Sequence, residues 1–149
     1  MDKAANHNDL LHGYYFEDLR EGMSDVYGKT VTDADIVMFA GISGDINPVH
    51  LNHEFASATV FEGRIAHGIL TASFISTVIG TKLPGPGCIY VSQALRFKAP
   101  VKSGDTVTAM ATVTKLIPEK KFVELKTQCF VKGKVVLDGE ATVMVPARP

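Results

Sequence analysis

The sequence predicts an α+β domain, an antiparallel sheet curled around one buried central helix, and three observations carry that expectation. The most apolar stretch, Ile65 to Gly80, has large residues on nearly every side, diluted only by Ala, Ser, Thr and Gly, as in a helix buried all round. From Cys88 onward, apolar and polar residues alternate with period two in four successive segments, the signature of strands with one face on a core. Finally, 149 residues with 46% apolar and 21% charged composition suit a single globular core. A lone helix followed by a long antiparallel meander leaves the sheet to hide the helix.

Taken in order, residues 1–13 are polar, carry Asp2, Lys3 and Asp9, and read as a flexible N-terminal extension before one domain over 14–149. Tyr14 to Thr30 is an extended piece interrupted at Glu21-Gly22. Thr32-Asp33-Ala34-Asp35 is a capping box with Asp in place of the usual Glu, and Ile36, Val37, Phe39 and Ala40 follow at helical spacing until Gly41 and Gly44 release the chain. A loop and a short turn around Glu54 to Ala58 lead to the central helix, which Leu83-Pro84-Gly85-Pro86-Gly87 ends, since neither residue type suits its continuation. Strands are expected at Cys88 to Lys98, Thr106 to Leu116, Phe122 to Val131 and Lys134 to Val145, with turns at Pro100 to Gly104, Pro118 to Lys120 and Gly133. This order fits the arrangement called a hot dog.

Several functions are excluded or disfavoured by composition. Fifteen Lys and Arg against sixteen Asp and Glu give a net charge of −1 with no basic stripe, so nucleic acid is not an expected partner. No apolar run reaches the length of a membrane span, and the start lacks the apolar core of a secretory signal; a cytoplasmic location without membrane contact is the expectation. Cys88 and Cys129 stand apart, which suits reduced packing residues better than a disulfide, redox or zinc pair.

The chemistry-bearing segment is Gly41-Ile42-Ser43-Gly44-Asp45-Ile46-Asn47-Pro48-Val49-His50-Leu51-Asn52, read as a loop because Gly44 releases the helix and Pro48 cannot continue one. A sharp reversal there brings Asp45 and His50 to one side, within reach of one water. Taken singly, Asp45 in an Asx turn and His50 capping the next helix are the better readings. The second segment, Arg64-Ile65-Ala66-His67-Gly68, changes the balance, because Gly68 falls in the first turn of the buried helix, where amides lack intrahelical partners and the dipole favours negative charge. His67 reads as a satisfied, partly buried imidazole.

Gly44-Asp45-Ile46-Asn47-Pro48-Val49-His50, followed by Ala66-His67-Gly68, Ile89-Tyr90-Val91, Leu95-Arg96-Phe97, Pro100-Val101 and Gly104-Asp105, resembles the MaoC-like (R)-specific enoyl-CoA hydratases, the hydratase 2 group, from about Tyr15 to Val145. That group includes polyhydroxyalkanoate-linked hydratases and 3-hydroxybutyryl-CoA dehydratases. The resemblance implies a hydro-lyase that adds water to trans-2-enoyl-CoA of short to medium chain and gives (R)-3-hydroxyacyl-CoA. It implies Asp45 and His50 as the acid/base pair and Gly68 as the amide donor to the thioester oxygen. Ser76 and Ile79 on the helix are then candidates to line the acyl pocket. No cofactor or metal is expected, coenzyme A being part of the substrate, and Arg96, Lys98, Lys82 and Lys121 are unranked candidates for its nucleotide. Uncovered strand edges favour a homodimer or higher homo-oligomer.

Three other readings stay open on the residues alone. A hot-dog thioesterase commonly needs a carboxylate near or on the central helix; Gly63 to Leu83 holds none, though Glu62 stands just before it. A metal site draws on His50 and His53, three apart, with Asp45 and His67 available. A non-catalytic module binding acyl chains is the third.

Overall fold

A computed structural model describes residues 7–149 of the chain. Of the expected extension, residues 1–6 lie outside the described part; the rest forms a short helix α1 (His7–Leu11) and a segment docked on the fold. The Gly13 amide donates to the Pro86 carbonyl at 2.8 Å and that of Tyr14 to the Pro84 carbonyl at 2.9 Å. A side chain at position 13 would collide with the Pro84 carbonyl, so the close approach requires glycine there.

A 3-10 turn at Phe16–Asp18 leads into β1 (Ser24–Thr30). Helix α2 (Asp33–Ser43) begins with the anticipated capping box: the Thr32 hydroxyl accepts from the Asp35 amide, and the Asp35 carboxylate accepts from the Thr32 amide. It ends at Gly44 in the left-handed region, φ 79°, where glycine is the undemanding choice. The segment read as loop over 41–52 is corrected here, because Pro48–Leu51 forms a one-turn helix α3 capped by the Asn47 side chain. Pro48 cannot continue a helix but is well suited to start one at the first helical position. Helix α4 (His53–Ser57) follows.

The central helix α5 (Gly68–Thr81) starts three residues later than its apolar run, since Ile65 to His67 belong to no helix or strand. It packs chiefly on β3 (Thr106–Ile117), β1 and β4 (Phe122–Val131). Leu70, Phe74, Ile75, Val78 and Ile79 face the core, and Ala109 and Ala111 on β3 are fully buried beneath them, their small size admitting close helix approach. The expectation of burial all round does not hold in the single chain: Ile69, Ser73, Ser76 and Gly80 form an exposed stripe, with Ile69 56% accessible.

The sheet is antiparallel with order β1-β3-β4-β5-β2, where β2 is Ile89–Phe97 and β5 is Lys134–Met144. All four expected strands form within a residue or so of their anticipated ends. The simple meander is corrected, because β2 pairs with β5 (Phe97 opposite Leu137, Ile89 opposite Met144) and β1 takes the place beside β3. The β4–β5 hairpin turns through Lys132 and Gly133, both at positive φ (50° and 76°), as the right-handed strand twist favours in a two-residue turn. Beneath the helix lie Val107, Val113, Val123, Leu125 and Val143, all essentially inaccessible. These features make the molecule the hot-dog architecture: one helix held against a curled sheet.

Candidate active site

Gly44, by releasing α2, starts the turn that holds Asp45, and α3 then presents His50 from its last turn. An Asx turn is present, with the Asn47 amide donating to Asp45 Oδ1 at 3.3 Å, so the bland role foreseen for Asp45 coexists with a side chain that is exposed. His50 does not cap a helix. It is 7% exposed, and its Nδ1 sits 2.8 Å from the Ile65 carbonyl oxygen. A carbonyl only accepts, so Nδ1 carries the proton and Nε2 keeps the lone pair.

One carboxylate oxygen of Asp45 and one ring nitrogen from each of His50 and His67 lie within 4.8 Å of one another. The structure therefore brings together the two residues expected to pair, and adds His67. That ring is 1% exposed, stacks on His50 with centroids 3.8 Å apart and planes 28° from parallel, and is flanked by Phe39 at 4.8 Å. Its Nε2 lies 2.9 Å from the Asp45 main-chain oxygen. Its Nδ1 meets no protein partner among the described residues.

Among the described residues this trio is where side chains of metal-ligating type converge. Nearly parallel stacked imidazoles, however, hold their in-plane lone pairs in adjacent layers, and a tetrahedral ion needs them aimed at one point. His53, the other histidine considered for a metal, is exposed and faces the Ser57 hydroxyl at 3.3 Å.

The segment from Ile65 to Gly68 joins these groups to the helix. Its Ile65 amide donates to Val49, the Ala66 amide donates to Val101, and the Ile65 carbonyl accepts from His50. Gly68 is the first residue of α5, and His67 at the N-cap supplies no side-chain hydrogen bond to the helix's first amides. A Cβ at Gly68 would lie 2.6 Å from the Phe97 ring, so glycine leaves the approach to its amide open beside that ring.

A cavity of about 450 Å³ opens at this end of α5, between its first turn, the end of β2 and the start of β5. Phe61, Ile65, Ile69, Phe97, Val101 and Val136 make its wall apolar, Gly68 and Thr71 lie in it, and Lys98 is its charged residue. Neither Asp45 nor His50 lines this cavity; His50 is linked to its wall by the hydrogen bond to the Ile65 carbonyl. Ser76 and Ile79, expected as pocket-lining, are placed otherwise: Ser76 is on the exposed stripe of α5, and Ile79 is 1% exposed within the core. Of the candidate cations, Lys98 alone reaches the cavity, where it also pairs with Asp138 at 3.5 Å; Arg96 pairs with Asp138 and Glu140, Lys82 donates to the Val26 carbonyl, and Lys121 lies over the Phe16 ring. Glu62, the carboxylate a hydrolytic reading relies on, is exposed in a turn at φ 58°.

Sequence reasoning missed that His67 joins Asp45 and His50, and missed the aromatic wall. A lone imidazole at the mouth of the most apolar run made His67 noticeable, but nothing in the sequence says what its ring stacks on. Phe61 and Phe97, 36 residues apart in sequence, both line the cavity, which no local pattern reveals.

Comparison with known proteins places this geometry among relatives. The family model described as "MaoC like domain" matches residues 18–138. The chain is 63% identical over 139 residues to an (R)-specific enoyl-CoA hydratase of Rhodospirillum rubrum, covering 93% of this chain and 95% of that one. It is 51% identical to a 3-hydroxybutyryl-CoA dehydratase of Methylorubrum extorquens, over 93% and 88% of the two chains. Among solved structures, the (R)-hydratase from A. caviae involved in PHA biosynthesis superposes with a TM-score of 0.84 at 42% identity, over 87% of this chain and 99% of that one.

Proposed function

Since the chain belongs to the MaoC-like domain family, we propose that it is an (R)-specific enoyl-CoA hydratase, a hydro-lyase that adds water to trans-2-enoyl-CoA and, in reverse, dehydrates (R)-3-hydroxyacyl-CoA. The observation that carries this reading is the convergence of Asp45 and His50 beside the uncapped helix start at Gly68.

Water does not add to an unactivated alkene at neutral pH; the thioester must draw electrons from C3, and its oxygen takes up the charge. The Gly68 amide, at a helix N-terminus, is set in advance for that oxygen, and a donor of this kind is worth about 100–1,000-fold in rate. A water at roughly 2.8 Å from each of two groups spans a gap of this size between Asp45 and His50. One of the pair takes a proton from the water as its oxygen bonds to C3, and the other returns one to C2. Proton transfer by a placed side chain contributes about 100–10,000-fold. Both groups act from one side, so addition is syn. No cofactor takes part, and coenzyme A enters as part of the substrate.

Short to medium acyl chains fit the reading, with Lys98 at the cavity suited to the anionic end of coenzyme A. A homodimer is part of the proposal: β2 ends the sheet with Ile89, Tyr90 and Val91 exposed, and α5 keeps its outer stripe uncovered. No described helix is long and apolar enough to cross a membrane, which accords with a cytoplasmic role. The test is consumption of crotonyl-CoA and a ladder of longer trans-2-enoyl-CoA, followed by absorbance, with chiral analysis of the product. An (S) product, or thiol release from saturated acyl-CoA in place of hydration, would overturn the reading.

A further inference from the structure

Three features of His67 do not fit a packing residue. Helix N-caps favour Ser, Thr, Asp or Asn, whose oxygen closes the first amides; here a histidine occupies the position and its side chain leaves those amides uncapped. The ring is almost wholly buried yet its Nδ1 has no protein partner among the described residues, a cost that an apolar ring of the same shape would avoid. What the imidazole alone supplies is Nε2, which must carry a proton because it faces the Asp45 carbonyl oxygen at 2.9 Å. Its face meanwhile lies against His50 at 3.8 Å between centroids.

We propose that His67 is a positioning residue for hydration: its Nε2–H fixes the main chain of Asp45, its ring face fixes His50, and its place at the N-cap leaves the Gly68 amide free. A single residue then sets the spacing between the acid/base pair and the oxyanion donor. His50 and His67 are held in opposite tautomers, Nδ1–H in the first and Nε2–H in the second. Because reacting groups tolerate misplacement poorly, loss of the Asp45 tether lowers turnover without changing how the substrate is held.

This inference rests on the hydratase reading, and the test separates the two. His67→Gln keeps an N–H donor near the position of Nε2, whereas His67→Phe keeps the stacked ring and loses the donor. With crotonyl-CoA, His67→Phe is expected to lower kcat by about 10–100-fold with KM changed less than about twofold, and His67→Gln to recover most of that loss; exposed His53→Gln serves as control with unchanged kinetics. A folded His67→Phe with kcat near wild type, or Gln and Phe variants equally impaired, would overturn the role. Nitrogen-15 spectra of histidine-labelled wild-type protein, assigned with His50→Gln and His67→Gln, give a reading that does not depend on the Phe variant folding: the Nε2–H tautomer is expected at His67, and Nδ1–H there would refute the tether. Absence of turnover in the wild-type protein would instead remove the hydratase reading and leave the tautomer result to stand or fall by itself.

Discussion

The His50 imidazole donates through Nδ1 to the Ile65 carbonyl oxygen at 2.8 Å, three residues before the helix start at Gly68. That bond does two things at once: it selects the tautomer with the proton on Nδ1, and it ties the ring to the segment that leads to Gly68, the proposed amide donor. His50→Gln and, separately, Asp45→Asn are each expected to lower kcat for enoyl-CoA hydration by about 100–10,000-fold with the fold intact by circular dichroism. Near wild-type turnover in either folded variant would remove that residue from the mechanism.

Gly68 has a steric neighbour as well as the electrostatic role proposed for it. The Phe97 ring, 54% exposed at the rim, would be met by a Cβ at 2.6 Å and must swing aside in Gly68→Ala. We expect about a tenfold loss of turnover from the shifted approach, and partial recovery in the Gly68→Ala/Phe97→Ala double variant. Equal activity of the double and the single variant would show that the ring is not the obstacle.

The α2 capping box makes a pH prediction. The Thr32 amide, then Lys29 at 3.0 Å, hold the Asp35 carboxyl below the usual carboxylate value. A depressed carboxylate contributes stability that is fully present above its unfolded value, about 4, and is lost as pH falls through the lower folded value. Thermal melts of wild type and Asp35→Asn should therefore differ at pH 7 and converge at acid pH below that value; a constant difference across the range would contradict it. Thr32→Ala, which removes the other half of the box, is expected to cost about 0.5–2 kcal/mol.

The cysteines should be chemically quiet. Burial pushes the Cys129 thiol up to about 12, and burial raises that of Cys88, so little thiolate exists near neutrality. Native protein treated with iodoacetamide at pH 8 should leave Cys129 unmodified by mass spectrometry and retain its hydratase activity. Rapid modification of Cys129 without unfolding would be inconsistent with its full burial.

Much of this was legible because the controlling physics is local. Period-two alternation set the strands, since a one-residue slip exposes every buried side chain; Thr32 and Asp35 marked a helix start; Gly44, Pro48 and Gly68 each restrict the chain where they stand. Elements that depend on distant partners were not legible. The exchange of β2 to the far edge needs β5 to receive it, the outer stripe of α5 depends on how far the sheet wraps, and Pro48 shows that one residue can argue against continuing a helix and for starting another. The Asp45 and His50 pairing was readable as a turn, but the third member of the trio was not, because a histidine in an apolar run gives no sign of what its ring will stack on.

The far-edge position of β2 also orders how the chain matures. Strand β2 leaves the ribosome before β3, β4 and β5, yet the strand it pairs with is β5, the last to be made. Until then the segment Ile89 to Phe97 must wait without its native partner strand, and such non-local pairing slows folding and exposes intermediates to aggregation. Nascent chains stalled before Lys134 should accordingly bind holdase chaperones through that waiting segment, and release them once Met144 has cleared the exit tunnel.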